Sequence, residues 1–558
     1  MPTMSFCNLM LRSAAPTYRS VAARSRQPWS FANAAAASRS MGTLRKPVAP
    51  TNAEAVSSAA RIHINSVSSS NKPKGKVLTL DSLNPSVKQA EYAVRGELAI
   101  RAEQLRAQLE AGKGAHLPFN QITNCNIGNP QQLNQQPISF LRQVSALLEY
   151  PPLLDPRNED LVLKMFPKDA IERARSMAQE IGSVGSYSHS QGIPAIRRSV
   201  AKFIQDRDGF PSDPDQIFLT AGASPGVQTV LQAIISHPNV GILIPIPQYP
   251  LYTATIGLCN GVAVPYYLDE KAGWSVHADE VRRAVVDARA QGTDVRALCI
   301  INPGNPTGNV LSRKDMQDLV QVCVEEKLVL VADEVYQTNV YDPERKPWFS
   351  FKKVVREMGL TEKDIELVSF HSISKGMLGE CGRRGGYFEC FGIEPEVKEQ
   401  LYKIASISLC PNVQGQVAVD LMVNPPQPGS ESYDLYSTEM TYLFESLKRR
   451  ATKLAAAFNQ LEGVSCQPAE GAMYLFPRIH LPAKAEAAAQ AAGKPADAFY
   501  VMALLEATGV CMVPGSGFLQ EPGTWHFRCT FLPPEDQLDE FIGKVGKFHQ
   551  QFMDKYRD

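Results

Sequence analysis

Four near-continuous apolar runs of strand length constrain the fold most: Ile217-Phe218-Leu219-Thr220, Gly241-Ile242-Leu243-Ile244, Ala297-Leu298-Cys299-Ile300-Ile301 and Leu328-Val329-Leu330-Val331-Ala332. A strand with one wet face alternates apolar and polar residues. These runs do not alternate, so both of their faces must be covered, as in the mainly parallel sheet of an α/β domain. Helical patterns separate them. The segment Ser312 to Lys327 carries Met316, Leu319, Val320 and Cys323 along one stripe, and Ser312 and Asp315 stand at capping-box spacing. The expected architecture is a large domain, residues 156–424, with helices flanking the sheet. A smaller α+β domain is built from both flanks, residues 74–155 and 425–558.

In the flanks, Asn84-Pro85-Ser86 opens a helix that continues through Leu98 and Gln104 to Leu109. Phe119 to Cys125 reads as extended, Asn126 to Pro130 as a turn, and Ile138 to Leu148 as a helix. Pro425 to Ser430 is a linker, Thr441 to Leu461 a helix, and Gly471 to Phe476, Gly509 to Val513 and His526 to Phe531 short strands. Ala483 to Ala492 is an alanine-rich surface segment.

Lys+Arg and Asp+Glu balance at 57 each, so charge points to neither nucleic acid nor an acidic membrane surface. No apolar run reaches the roughly 18 residues of a membrane helix. The 11 cysteines, without C-x-x-C pairs, read as buried reduced thiols, and no Cys/His cluster has zinc spacing, so no metal is expected. The first 53 residues contain no Asp or Glu but carry Arg12, Arg19, Arg24, Arg26, Arg39, Arg45 and Lys46. Residues 1–73 therefore read as a mitochondrial transit peptide and linker, which directs the chain to the matrix. An internal start at Met41 would give a cytosolic form.

Polar motifs follow the apolar runs, where ligands of open α/β sheets bind. Gly222-Ala223-Ser224 opens a helix whose free N–H groups suit a phosphate; a plain strand-to-helix turn has the same sequence. Tyr249 follows the second run and can stack on a heteroaromatic ring or simply pack. Asn302-Pro303-Gly304-Asn305-Pro306 fixes a turn from which Asn305 can present its amide. Asp333 ends the fourth run, and a buried carboxylate there needs a cationic partner. Arg528 lies within Phe527-Arg528-Cys529-Thr530-Phe531 and should meet a carboxylate, internal or from a substrate. The apolar run Ile365 to Phe370 leads through Ser372 and Ser374 to Lys375, with Arg383 and Arg384 beyond. A lysine amine, hydroxyls and one guanidinium so spaced can hold a phosphorylated aldehyde cofactor through a Schiff base.

Taken together, Asn126-Ile127-Gly128-Asn129-Pro130-Gln131, Ser186-Tyr187-Ser188 with Ser190-Gln191-Gly192, Ser369 to Gly376, and Gly379-Glu380-Cys381-Gly382 with Arg384-Gly385-Gly386-Tyr387 resemble the fold-type I, class I/II pyridoxal-phosphate aminotransferases, most closely the alanine aminotransferase group. The resemblance runs from about Val77 to the end. It implies pyridoxal 5'-phosphate as cofactor, amino acids and 2-oxo acids as substrates, and a ping-pong exchange of L-alanine and 2-oxoglutarate for pyruvate and L-glutamate.

It also implies roles. Lys375 holds the cofactor and moves the substrate proton, and Asp333 keeps the ring nitrogen protonated. Tyr336 and Asn305 bind the ring's phenolic oxygen, and Tyr249 stacks. Gly222, Ala223, Ser224, Ser372 and Arg384 hold the phosphate. Tyr187 reaches the phosphate of a neighbouring subunit, which implies a homodimer. Gly128, Asn305 and Arg528 face the substrate. Relatives carry an aromatic where this chain has Arg383, which leaves Arg383 and Arg384 to be told apart. Glutamate:glyoxylate aminotransferases share every one of these residues. Ser372-Ile373-Ser374-Lys375 also fits the S-x-x-K of acyl hydrolases, but the chain has no S-D-N or K-T-G partner motif.

Overall fold

Seven strands form the central sheet of the computed structural model: β1 (Ile217–Thr220), β2 (Val240–Ile246), β3 (Val262–Tyr267), β4 (Asp294–Ile301), β5 (Val329–Asp333), β6 (Leu367–Ser372) and β7 (Gly386–Phe391). The structure describes residues 76–90 and 96–557. The spatial order is β1-β7-β6-β5-β4-β2-β3, and every neighbouring pair is parallel except the two made by β7. The four apolar runs are β1, β2, β4 and β5, and the run before Lys375 is β6. Successive side chains of a strand leave on opposite faces. Val331 and Val368 accordingly pack with Val227 and Tyr252 of helices Ala223–Ile234 and Leu251–Leu258. Their neighbours Leu330 and Leu367 pack on the other face with Leu319 and Phe351 of helices Arg313–Glu326 and Phe351–Glu357. Two-sided burial is what the unbroken apolar runs demanded. The capping box of Ser312 and Asp315 forms as expected.

Two strands lie outside the sequence expectation. β3 is an edge strand that alternates in exposure and contains Pro265, an imino residue an edge tolerates. β7 starts right after the Arg383-Arg384-Gly385 turn, where the polar residues mask the strand. In the flanks, Thr123–Asn124 pairs in parallel with Val510–Cys511. Tyr474–Leu475, Phe527–Thr530 and Val513–Pro514 form a small antiparallel sheet.

Three helix expectations change. The single helix from residue 84 to 109 is two, Pro85–Gln89 and Glu97–Glu110. Ala90 closes the first in an extended conformation, and Gly96, a poor helix former, precedes the second. The helix expected at Thr441 begins at Tyr433, because Asp169 accepts from the backbone N–H and hydroxyl of Ser432 and anchors its start. The alanine-rich segment is the helix Ala483–Ala491, with Ala485 and Ala489 buried. The transit-peptide reading, residues 1–73, falls wholly outside the described residues. Cys125, Cys299, Cys323, Cys511 and Cys529 are buried, and every described cysteine is free. Among the described residues no helix is long and apolar enough to cross a membrane.

Candidate active site

A cavity of about 400 Å³ opens beyond the carboxyl ends of β1, β4, β5 and β6. It is lined by Ala223 and Ser224 after β1, Asn305 after β4, Asp333 and Tyr336 at β5, and Ser372 and Lys375 at β6. Arg384, just before β7, closes one side, and Gly128, Tyr474 and Arg528 close it from the flanks. Four of these stretches meet in one place because β1, β4, β5 and β6 run in one direction and end at one edge, where antiparallel β7 begins.

Lys375 stands just past the end of β6, and its Nζ donates to the Gly128 carbonyl at 3.0 Å. A Cβ added at Gly128 would lie 2.5 Å from the Tyr474 hydroxyl and 3.0 Å from Lys375 Nζ, so only glycine leaves this corner open. Asp333 is 5% exposed. Its Oδ2 accepts from the Tyr252 hydroxyl at 2.9 Å and its Oδ1 from the Val335 N–H at 3.3 Å. Burial pushes its carboxyl up to about 6, against the pull of Tyr252 and Lys375. Such a carboxylate takes its charge fully only when a cation comes to meet it.

At the far end, Arg528 is almost fully buried. Its Nη1 donates to Asn305 Oδ1 at 2.8 Å and its Nη2 to the Asn126 carbonyl. Its guanidinium is sandwiched between the rings of Tyr474, at 4.2 Å, and Phe518, at 4.6 Å. Its Nε has no partner. No described carboxylate ion-pairs with Arg528, so the internal partner that the sequence left open is not present.

The third corner suits a phosphate. Gly222 has φ +94°, and a Cβ there would lie 2.5 Å from Arg384 Nη2. No side chain caps the helix Ala223–Ile234 that follows, so its first N–H groups and the positive end of its dipole serve the cavity. Arg384 Nη1 donates to Ser374 Oγ at 3.5 Å and to the Cys381 carbonyl at 3.3 Å. Ser372 Oγ donates to Ser374 Oγ at 3.1 Å. Arg383 instead pairs with Glu380 at 3.5 Å and does not line the cavity. Tyr249 lines the cavity, whereas Tyr187 is 80% exposed and does not.

Sequence reasoning missed Tyr474, Tyr252 and Cys381, of which all but Tyr252 line the cavity; Ser374, one of the hydroxyls expected to serve the cofactor, lines it too. Tyr252 stands three residues after Tyr249, and nothing in the sequence gives it a role. Tyr474 stood inside an expected strand, where only the need of a buried hydroxyl for a partner marks it. The Tyr336 hydroxyl donates to the Tyr474 oxygen at 2.9 Å.

A family model, Aminotransferase class I and II, matches residues 158–545. The chain belongs to the class I and II aminotransferases. It is 54% identical over 486 residues to a probable mitochondrial alanine aminotransferase of Dictyostelium discoideum, which covers 86% of this chain and 90% of that protein. It is 50% identical to glutamate–glyoxylate aminotransferase 1 of Arabidopsis thaliana, over 86% of this chain and 98% of that one. Among solved structures, an alanine aminotransferase from Pyrococcus furiosus shares the fold, with a TM-score of 0.65 at 24% identity, over 84% of this chain and all of that one. Class I and II aminotransferases use pyridoxal 5'-phosphate. The cavity fits that group: an amine for its aldehyde, a buried carboxylate awaiting a cation for its ring nitrogen, and an uncapped helix start beside a guanidinium for its phosphate.

Proposed function

We propose that this chain is an alanine aminotransferase, passing the amino group of L-alanine to 2-oxoglutarate by a ping-pong sequence through pyridoxal 5'-phosphate. One observation carries the amino-acid half of this reading: a buried arginine with no carboxylate of its own shares a cavity with Lys375. The assignment to alanine rests on the likeness to the Dictyostelium protein.

When bound, the cofactor supplies an aldehyde carbon for the substrate nitrogen and a protonated ring that withdraws electrons from the substrate Cα. Lys375 holds it through Nζ and, once released, takes the Cα proton. Asp333, steadied by Tyr252, holds the proton on the ring nitrogen. Asn305 would donate its amide N–H to the phenolic oxygen, Tyr336 would meet the same oxygen through the side of its hydroxyl not engaged with Tyr474, and Tyr249 would cover the ring. Gly222, Ala223, Ser224, Ser372 and Arg384 grip the phosphate. Arg528 clamps the substrate carboxylate, with Gly128 leaving room for it. Tyr187, exposed in one chain, reaches the phosphate of a second copy, so the working form is a homodimer. The parallel pairing of Thr123–Asn124 with Val510–Cys511 supports one smaller domain made from residues 74–155 and 425–558, beside a large domain over 156–424. The matrix address rests on the acid-free first 53 residues and the mitochondrial relative.

The test is the visible spectrum of the purified protein before and after L-alanine alone. A yellow band that bleaches with stoichiometric pyruvate supports the proposal. A band that bleaches with glutamate but not alanine gives the second reading, glutamate:glyoxylate transamination, which the 50% identity to the Arabidopsis protein favours. A chain that stays colourless with added pyridoxal phosphate removes both.

A further inference from the structure

Tyr474 stands outside the residues that the sequence marks, yet four of them, Tyr336, Arg528, Gly128 and Lys375, surround it. It is 2% exposed and lines the cavity. Its oxygen accepts from Tyr336 at 2.9 Å, with the two rings edge to face. Its ring lies 4.2 Å below the Arg528 guanidinium. The spot that a Gly128 Cβ would fill is flanked by its hydroxyl and by Lys375 Nζ. Its backbone is held by the strand that carries Arg528, with Tyr474 opposite Thr530.

The geometry points to Tyr474 as a positioning residue that ties the cofactor side of the cavity to the substrate side. Its hydroxyl fixes the Tyr336 phenol, and its ring fixes the plane of the Arg528 guanidinium. A hydroxyl that accepts from Tyr336 still has a proton to donate, and that proton is available beside Lys375. Burial alone would raise this phenol, but Lys375 and Arg528, with the Tyr336 bond, outweigh burial and hold it below its ordinary range. The two functions of the side chain are separable: the hydroxyl acts through Tyr336, the ring through Arg528. Neither a sequence pattern nor the charge of the site requires a tyrosine here. The requirement comes from two buried groups that meet at this side chain: the Tyr336 phenol, and the guanidinium of Arg528, which Asn305, Asn126 and Phe518 hold at its other contacts.

The inference rests on the cavity being the cofactor site. Its test uses the cofactor-free chain and Tyr474→Phe, which keeps the ring and removes the hydroxyl. Pyridoxal phosphate is titrated by absorbance into wild type, Tyr474→Phe, Tyr336→Phe and the double variant. Tyr474→Phe should weaken cofactor binding about tenfold, the scale of one lost buried hydrogen bond. The double variant should bind no more weakly than Tyr336→Phe, because one hydroxyl acts through the other. In the loaded enzyme, Tyr474→Phe should lower kcat about tenfold with KM for alanine within about twofold. Tyr474→Ala, which also strips the ring from Arg528, should raise that KM about tenfold. A Tyr474→Phe chain that binds cofactor like wild type, or a double variant whose loss is the product of the two single losses, overturns the inference alone. A wild-type chain that takes up no cofactor overturns the cavity reading and this inference with it.

Discussion

Asp333 and Glu334 are consecutive residues at the end of β5, both buried, and they belong to two different charge clusters. Asp333 turns into the cavity, where Lys375, Arg384 and Arg528 also lie. None of those three cations ion-pairs with a described carboxylate; their partners are carbonyls, a serine hydroxyl and an asparagine amide. Glu334 turns the other way, accepting from the Phe351 N–H at 2.8 Å and lying 4.0 Å from Arg207. In that second cluster every cation has its carboxylate: Arg207 pairs with Asp208 at 2.7 Å, and Lys352 pairs with Glu389. Lys352 and Glu389 are 2% and 3% exposed, so the pair is closed to ligands. The same chemical groups are thus satisfied internally on one side of the sheet and left for a visitor on the other, where Arg528 is as buried as Lys352 while Lys375 and Arg384 are more open. Missing counter-ions mark the site more sharply than the charges do.

The largest break in this contrast is Lys375→Ala. It removes the amine that holds the cofactor and carries the proton, and turnover should fall at least about 10⁴-fold. Substantial transamination by that variant, followed as pyruvate release, would remove Lys375 from its role. The unfolding midpoint of the cofactor-free chain should move little, because this lysine ion-pairs with no described carboxylate and acts on Asp333 only at longer range. Lys352→Met should do the opposite. It leaves Glu389 buried beside only Ser212, which already donates to it, and stability should fall by about 3–5 kcal/mol, read by urea unfolding. Folded Lys352→Met should retain near-normal kcat. A stable Lys352→Met with lost activity would merge the two clusters into one functional unit.

The sheet was legible where burial was two-sided. β1, β2, β4, β5 and β6 follow from apolar runs alone, while β3 hides behind edge alternation and Pro265. The charged site residues were legible because Arg528 interrupts an apolar strand, Asp333 ends one, and Lys375 and Arg384 lie in the small-residue turn between two. What stayed hidden depends on distance in the chain. Glu334 and Arg207 carry no mutual signal across the sequence, and nothing near Tyr474 says that Tyr336 will meet its hydroxyl. The flank strands are only two to four residues long. Their pairing is set by tertiary packing rather than by pattern. The helix beginning at Tyr433 shows the same limit, since its start is fixed by Asp169 from another segment.

Arg528→Lys sharpens the contrast without removing charge. A lysine cannot offer the planar fork that grips both carboxylate oxygens. The ratio kcat/KM for alanine should drop about 100-fold, with most of the loss in KM, while absorbance titration should find cofactor binding within about threefold of wild type. An unchanged KM would take the substrate carboxylate away from Arg528. Stability of the cofactor-free chain should stay level, as expected when a cation without an ion pair is replaced by another.

The smallest effect comes from pH and separates the two neighbouring carboxyls. Burial raises Asp333 to about 6 and Glu334 to about 8, the latter despite Arg207 and with Asp208 and Glu389 adding to the rise. A raised carboxyl keeps its proton in the fold after the unfolded chain has lost it. Its contribution is full below the ordinary carboxyl range and fades as pH climbs to the folded value. These two carboxyls should therefore pull the stability of the cofactor-free chain down between about pH 4 and pH 8, by on the order of 1–2 kcal/mol across the upper half, while buried His371, lowered to about 3, opposes them below about pH 6.5. Glu334→Gln should flatten the stretch between pH 6 and 8 and roughly halve the slope below it, where Glu334 and Asp333 both contribute. Saturation with pyridoxal phosphate should spare the upper stretch and remove only the share of Asp333 below pH 6, because a cation now meets Asp333 and brings its carboxyl down. Urea unfolding at each pH reads both. A slope between pH 6 and 8 that survives Glu334→Gln would mean that Glu334 is ionised throughout, and that the closed cluster is satisfied even more completely than its distances indicate.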